Sequence, residues 1–470
     1  MAQAVGDLIP EIVLLAGAVA VLLVVLVLPR RWQRCAPLLS LIVLGTAAAA
    51  AAAQLGQPQT ITFFDTWARD GTAVLGKLIV LASAAVCVGL SLDWFRTDPR
   101  AGELQTMLLF ATLGAVLLAG AADLMELTLG LLLSSVAGYV LAAYHRRSKE
   151  SGEAAIKYYL LGALTNALLL YGVAVLFGLA ASTTYPALAD ALAGADPLGL
   201  VAGFGLVLLG LAFKVGAVPV HPWVPDVAEG APAPAAAFLL TIPKVGGMIA
   251  VARLAAVLID APVGWRPTIA VIAAATMTLG NLAALWQDDL RRMLGWSAVS
   301  QTGYALMAPV ALGRSDLAVA SLLLFLAAYA AANLAAFGVV VHLRGRTAVT
   351  DYAGLGRARP WLLAALTVAF LSMVGIPPLG GFVGKLALFA ATIDAGYTWL
   401  AVLAVVNSVV SLFYYARVIG PAYFQRTVGP VPVLGRPAAT ATAAAAVATV
   451  LIGIAGEPLV AAFRAALLLP

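Results

Sequence analysis

The sequence predicts an all-α integral membrane protein of about 14 transmembrane helices. Hydrophobic residues make up 63% of the chain and charged residues only 10%, whereas soluble domains carry about 25% charge. Mean hydropathy is +1.01. Apolar runs of about 20 residues, enough to cross a bilayer core of about 30 Å, recur along the whole chain. They are continuous rather than alternating, so the backbone is satisfied within helices and not in a barrel.

The first seven spans are expected near residues 8 to 28, 37 to 54, 72 to 92, 104 to 121, 123 to 144, 156 to 181 and 199 to 221. The second seven fall near 231 to 258, 266 to 286, 290 to 312, 316 to 343, 361 to 391, 396 to 421 and 437 to 465. The opening MAQAVGDLIPE has no basic segment ahead of its apolar run, so it is expected to remain as the first helix, uncleaved. No stretch between spans is long enough for a soluble domain. Alanine-rich stretches at 47 to 53 and 438 to 447 are expected to let helices pack closely.

The net charge of +5 does not point to nucleic acid, because the bases sit in short connections. Those after odd-numbered spans carry Arg30, Arg31 and Arg34; Arg96 and Arg100; Arg146, Arg147 and Lys149; Arg291 and Arg292. The series continues with Arg344, Arg346, Arg357 and Arg359, then Arg426 and Arg436. Connections after even-numbered spans carry mainly acids: Asp65, Asp70, Asp190, Asp196, Asp260 and Asp394. Positive loops stay in the cytoplasm, which places both termini outside a bacterial cell membrane. Cys35 and Cys87 lie far apart, so neither a disulfide framework nor a metal site is expected.

Of six lysines, Lys214, Lys244 and Lys385 lie well inside apolar runs. A mid-bilayer lysine costs roughly 2.5–3.5 kcal/mol and usually faces the protein interior, where it works. The plainer alternative is snorkelling of the flexible stem to the interface. An ammonium withdrawn from water loses its advantage over the neutral amine, so a buried lysine is suited to taking and releasing protons.

Two of these lysines adjoin helix breakers. In FKVGAVPVHPWVPD, Lys214 precedes Pro219, Pro222 and Pro225; in GIPPLGGFVGK, Pro377, Pro378, Gly380 and Gly381 precede Lys385. Interrupted helices in corresponding places of two halves mark inverted-repeat transporters, since unwound backbone admits water and offers helix ends to an ion. Ordinary proline kinks are the alternative.

His221 ends the seventh span, open to either a structural or a relay reading. Asp226 and Glu229 read as a solvated loop. Ser297, Ser300, Gln301 and Tyr304 recur at near-helical spacing, which fits a polar internal face and hydrogen-bonded helix packing equally well, and His145 and His342 receive no role. No phosphate loop, cysteine cluster, flavin or nicotinamide fingerprint is present, so any redox chemistry belongs to partners.

The run FKVGAVPVHPWVPDVAEGAPAPAAAFLLTIPK, residues 213 to 244, resembles the signature of the antiporter-like subunits of respiratory complex I. Its VAEGAPAPAAAF portion is similar to the N group of that family rather than the L or M groups. Further matches are EAAIKYYLLGAL, GNLAALWQDDLRRMLGWSAVSQTGY, DYAGLGRARP, GIPPLGGFVGK and NSVVSLFYYARV.

The resemblance implies two inverted five-helix repeats, spans four to eight and nine to thirteen, with helices seven and twelve broken. It divides the chain into N-terminal helices at 1–120, a first half-channel at 121–260 completed by span four, a second at 261–421, and a last helix at 422–470. It makes Lys214 the pumping lysine of helix seven, Lys244 the connecting lysine of helix eight and Lys385 the lysine nearest the outer exit, with His221 relaying between the first two. It implies a translocase subunit with no cofactor of its own. NADH, FMN, iron–sulfur clusters and quinone are expected in a peripheral redox arm. The expected neighbours are the antiporter-like subunit M, small membrane subunits and the lipid bilayer, with no nucleic acid.

One departure stands out. The family usually places a glutamate in helix five within a GLE-like motif, whereas this chain reads GLLLSS from Gly130, with Leu132 at that position. Leucine carries no charge to set against Lys214. Glu126 lies six residues earlier, about 240° round the helix, and is no obvious substitute. The leading expectation is a proton-translocating subunit of NADH–quinone oxidoreductase. A cation/proton antiporter subunit of the multisubunit type, and a structural subunit that no longer pumps, are the alternatives.

Overall fold

The computed structural model describes residues 5–27, 29, 33–145, 148–192, 194–426 and 434–469. Arg30, Arg31, Arg146 and Arg147, expected to mark cytoplasmic loops, lie outside the described residues. The N-terminal helices are α1 (Ile9–Val27), α2 (Ala36–Ala52) and α3 (Gly71–Trp94). Then come α4 (Ala101–Gly120), α5 (Leu124–Ala142), α6 (Lys149–Ala180), α7 (Tyr185–Leu192), α8 (Pro197–Val215), α9 (Trp223–Gly230) and α10 (Ala233–Val257). The second series is α11 (Trp265–Leu285), α12 (Leu290–Ala305), α13 (Met307–Ala311), α14 (Ala318–His342), α15 (Leu355–Ala358), α16 (Pro360–Val374), α17 (Gly380–Asp394) and α18 (Thr398–Phe424). The chain closes with α19 (Arg436–Ile454) and α20 (Gly456–Arg464).

Eleven of these helices are long and apolar enough to cross a bilayer. The shorter apolar α2, the α12–α13 pair and the broken α16–α17 complete fourteen spans among the described residues. A small hairpin that the sequence did not suggest joins α2 to α3: β1 (Thr60–Thr62) pairs antiparallel with β2 (Trp67–Arg69), Ile61 opposite Ala68.

Hydrophobic residues all round a helix require cover on all sides, and α10 and α14 accordingly stand at the centre, buried along nearly their whole length. The outer helices α1, α6 and α18 keep apolar faces exposed, including Leu23, Leu160, Leu164 and Val405. Such faces suit lipid or neighbouring subunits rather than water.

The two five-helix units, α4–α10 and α11–α18, share a construction. In each, glycines bring the first two spans backbone to backbone: a Cβ at Gly114 would stand 2.4 Å from Ser134 N, and one at Gly303 would stand 2.4 Å from Met277 N. In each, an aspartate caps the second span and bridges to the segment after the third, Asp123 to Thr184 and Asp289 to Ala348. In each, the fourth span is broken. Five spans are an odd number, so the second unit enters the membrane from the opposite side to the first.

The breaks follow from residue chemistry. Gly216, at φ +75°, ends α8, and Gly375, at φ +97°, ends α16, a left-handed conformation that glycine adopts without a Cβ clash. The prolines that follow lack the N–H needed to continue the helix. Both breaks contain a cis bond before proline, Val218–Pro219 and Pro377–Pro378. Trp223 Nε1 donates to Phe213 O at 3.0 Å, tying the two arms of the first break together.

Candidate functional site

Lys214 occupies the last turn of α8, at the negative end of the helix dipole. Its ammonium donates to Ser135 Oγ on α5 at 3.2 Å. Ser135 follows Leu132 by three residues, so the two share a helix face. That face therefore offers Lys214 a hydroxyl and no charge. Glu126 is engaged elsewhere, accepting from Thr66 Oγ1 at 3.0 Å.

Lys244 follows Pro243 in α10 and donates to Ala298 O at 2.8 Å and Thr302 Oγ1 at 3.2 Å, both on α12. Thr302 Oγ1 in turn donates to Val215 O at 2.8 Å, beside Lys214. Two glycines bring the lysines together. A Cβ at Gly216 would meet Lys244 Nζ at 3.4 Å, and one at Gly247 would meet Lys214 Cγ at 3.4 Å. A side chain at Gly247 would press on the end of α8, since its Cβ would come within 2.9 Å of Val215 Cγ1.

Lys385 in α17 reaches back across the second break to Val374 O, the last residue of α16, at 3.1 Å, and donates to Ser408 Oγ on α18 at 3.1 Å. Its Nζ also stands 3.9 Å from the Tyr304 ring centroid, a cation–π contact. Ser408 Oγ donates to Tyr304 OH at 3.2 Å. One helix thus serves both halves: α12 presents Thr302 to Lys244 and Tyr304 to Lys385.

The other polar residues of that face are buried as well. Ser297 pairs with Tyr415 OH at 2.5 Å, and Gln301 Nε2 donates to Met373 O at 3.1 Å. None of the three lysines has a carboxylate within ion-pair distance among the described residues. Carbonyl, hydroxyl and ring faces can receive either an ammonium or a neutral amine, whereas a carboxylate would favour the charged form alone. His221 lies in the first break with its ring 5.5 Å from Trp296, and no hydrogen bond joins it to Lys214 or Lys244.

Some sequence expectations need correcting. Asp226 and Glu229 are not a solvated loop: both lie in α9, and Arg292 Nη1 bonds each at 2.7 Å. Lys157 adds a contact to Asp226 at 2.9 Å. Asp70, assigned to a loop, is a buried cap of α3. The hydroxyl partners Ser135, Thr302 and Ser408 carry no sequence signal that separates them from other small polar residues. A fourth buried lysine, Lys77, is fully covered in α3; its place inside the third predicted span was the available clue. Among the described residues no cluster of His, Cys, Asp or Glu is placed to hold a metal ion.

Residues 121–411 match the family described as NADH:quinone oxidoreductase/Mrp antiporter, TM. A protein of Mycobacterium sp. (strain JLS), named NADH-quinone oxidoreductase subunit N, is 47% identical over 365 residues, 76% of this chain and 77% of that one. A chain of respiratory complex I from Thermus thermophilus with bound aureothin superposes with a TM-score of 0.85 at 32% identity, covering 97% of this chain and all of that one. A chain of the Mrp complex from Dietzia sp. DQ12-45-1b reaches a TM-score of 0.84 at 21% identity, over 98% of this chain and 97% of that one, a likeness of fold. The broken helices and their lysines thus sit on the scaffold of the antiporter-like membrane subunits, and the chain belongs to that family, within its NADH-quinone oxidoreductase subunit N group.

Proposed function

We propose that this chain carries protons across a bacterial membrane as part of a NADH–quinone oxidoreductase, using Lys214, Lys244 and Lys385 as a relay with His221 beside the first pair. The supporting observation is the row itself: three buried amines, each on neutral oxygen ligands, with α12 touching the second and third. A charge shift in a neighbouring subunit would favour or disfavour the ammonium form at one lysine, and its neighbour would respond through their mutual repulsion. The two half-channels are then residues 121–260 and 261–421. NADH, FMN, iron–sulfur clusters and quinone are assigned to partners, because this chain carries no fingerprint for them.

An Mrp-type antiporter role is the weaker reading, given 47% identity to a subunit N relative against 21% to the Mrp chain. A half-channel weakened at Leu132 has a specific basis in the uncharged contact between Lys214 and Ser135.

Purification from native membranes in mild detergent is expected to recover the chain with flavin- and iron–sulfur-containing subunits and with an M-type neighbour. Recovery as a lone monomer would overturn the assignment. Both termini are assigned to the outside, which labelling tests independently. Residues 190 and 357 are exposed, in α7 and α15 respectively. In intact cells, with Cys35 and Cys87 replaced, a cysteine at 190 is expected to react with an impermeant maleimide and one at 357 to be spared. The reverse pattern would invert the topology.

A further inference from the structure

Three ion pairs, two of them buried and one partly buried, cluster where α1, α3 and α5 begin. Arg69 meets Asp7 at 2.6 Å, Arg253 meets Asp70 at 2.6 Å, and Lys77 meets Glu11 at 2.8 Å. The first two are guanidinium pairs, and a guanidinium does not release its proton in proteins. Asp70 is also saturated, accepting from Ala73 N and Leu469 N besides Arg253. They read as clamps.

The third differs in chemistry and in surroundings. Lys77 is fully buried and Glu11 nearly so, and beyond their mutual contact neither the ammonium nor either carboxylate oxygen has a hydrogen-bond partner among the described residues. The Lys77 Nζ lies 4.8 Å from the Trp67 ring centroid. That ring fills the space beside Gly120, where a Cβ would come within 2.6 Å of it. Glu126, at the start of α5, joins the cluster through Thr66, whose Oγ1 donates to it next to Trp67, and its Oε2 is buried with no hydrogen-bond partner among the described residues. Transfer of one proton from Lys77 Nζ to Glu11 Oε1 breaks an N–H bond, forms an O–H bond and leaves a neutral pair, a step open to neither arginine clamp.

The cluster is also well placed. Gly76, next to Lys77, packs against Ile249 of α10, and Ile249 lies five residues from Lys244, about 7.5 Å of helix rise. The pair thus stands between the level of the lysine row and the face where Asp70 caps α3, the face assigned to the outside.

We propose that Glu11, Lys77 and Glu126 form a proton-binding site in series with the lysine row, on its outward side. This rests on the proton-translocation reading above. The intact complex is tested in inverted vesicles, counting protons taken up per NADH oxidised. Lys77→Arg keeps the positive charge and the ion pair but cannot give up its proton. A purely structural pair would leave pumping at the parent ratio in this variant.

The expected result is assembly with a loss of protons per NADH as large as that in Lys385→Ala, measured alongside, with Glu11→Asp retaining more than Glu11→Gln. Where Lys77→Arg does not assemble, Glu11→Gln/Lys77→Met is read in its place, since it removes both charges together. If Lys385→Ala loses protons and the Lys77 variant does not, the outer site is overturned and the lysine row stands. If Lys385→Ala pumps at the parent ratio, both fall.

Discussion

Lys385→Ala is expected to abolish proton translocation through this subunit, while Lys214→Ala has a smaller effect. Lys385 has a coordination suited to either protonation state: a free helix-end carbonyl at Val374, the Ser408 hydroxyl and the Tyr304 ring face. Alanine removes the amine proposed to exchange the proton and leaves those acceptors facing each other. Lys214 has one hydrogen-bond partner among the described residues, the uncharged Ser135, and no opposite charge on the α5 face that meets it.

Leu132→Glu would place a carboxylate on the face that already meets Lys214, one turn from Ser135. Two interacting ionisable groups titrate as a pair, so in that background pumping should become more dependent on Lys214. The measurement is NADH-driven proton uptake in inverted vesicles, after each variant complex is shown to assemble. Equal losses from Lys214→Ala and Lys385→Ala with Leu132 in place would mean that the absent glutamate is compensated.

The second large effect concerns stability. Arg253→Met is expected to deplete the assembled complex severely. Arg253 and Asp70 are fully buried, joined by Nη1–Oδ2 at 2.6 Å and Nη2–Oδ1 at 3.1 Å. Arg253 also donates to Ala119 O at 3.2 Å and to Leu469 O, so one guanidinium ties α10 to α3, α4 and the C-terminal segment. Removing one partner leaves an unpaired buried charge, worth about 3–5 kcal/mol, enough to change abundance several-fold. The double variant Asp70→Asn/Arg253→Met leaves no orphan charge and should recover part of the loss. Complex yield and the temperature of dissociation in detergent report both. An Arg253→Met complex with parental yield and dissociation temperature would show that the clamp contributes nothing.

The sequence by itself determined the membrane class, the helix count, the two broken spans and the three pumping-lysine candidates. Each depends on local quantities: twenty consecutive apolar residues, a glycine–proline break, a lysine surrounded by leucine and alanine. Set against the family pattern that it resembles, the sequence also exposed Leu132, a leucine where that pattern carries a glutamate. Tertiary structure alone decided which groups the lysines meet. Ser135 is 79 positions from Lys214 and Thr302 is 58 from Lys244, and nothing in either segment marks one hydroxyl among several as the partner.

The same holds for the ion pairs. Asp70 reads as a loop acid until α10 brings Arg253 to it from 183 positions away, and Asp226 and Glu229 read as solvated until Arg292 closes on both. Lys77 and Glu11 lie on different helices, and only the packing of α1 and α3 against α2 and α4 brings them together as a pair. Hydropathy records what each segment avoids, namely water. The buried polar contacts that would handle protons depend on distances between segments, and those are fixed only when close-packed helices, brought together at glycines such as Gly114, Gly247 and Gly303, set which side chains face one another.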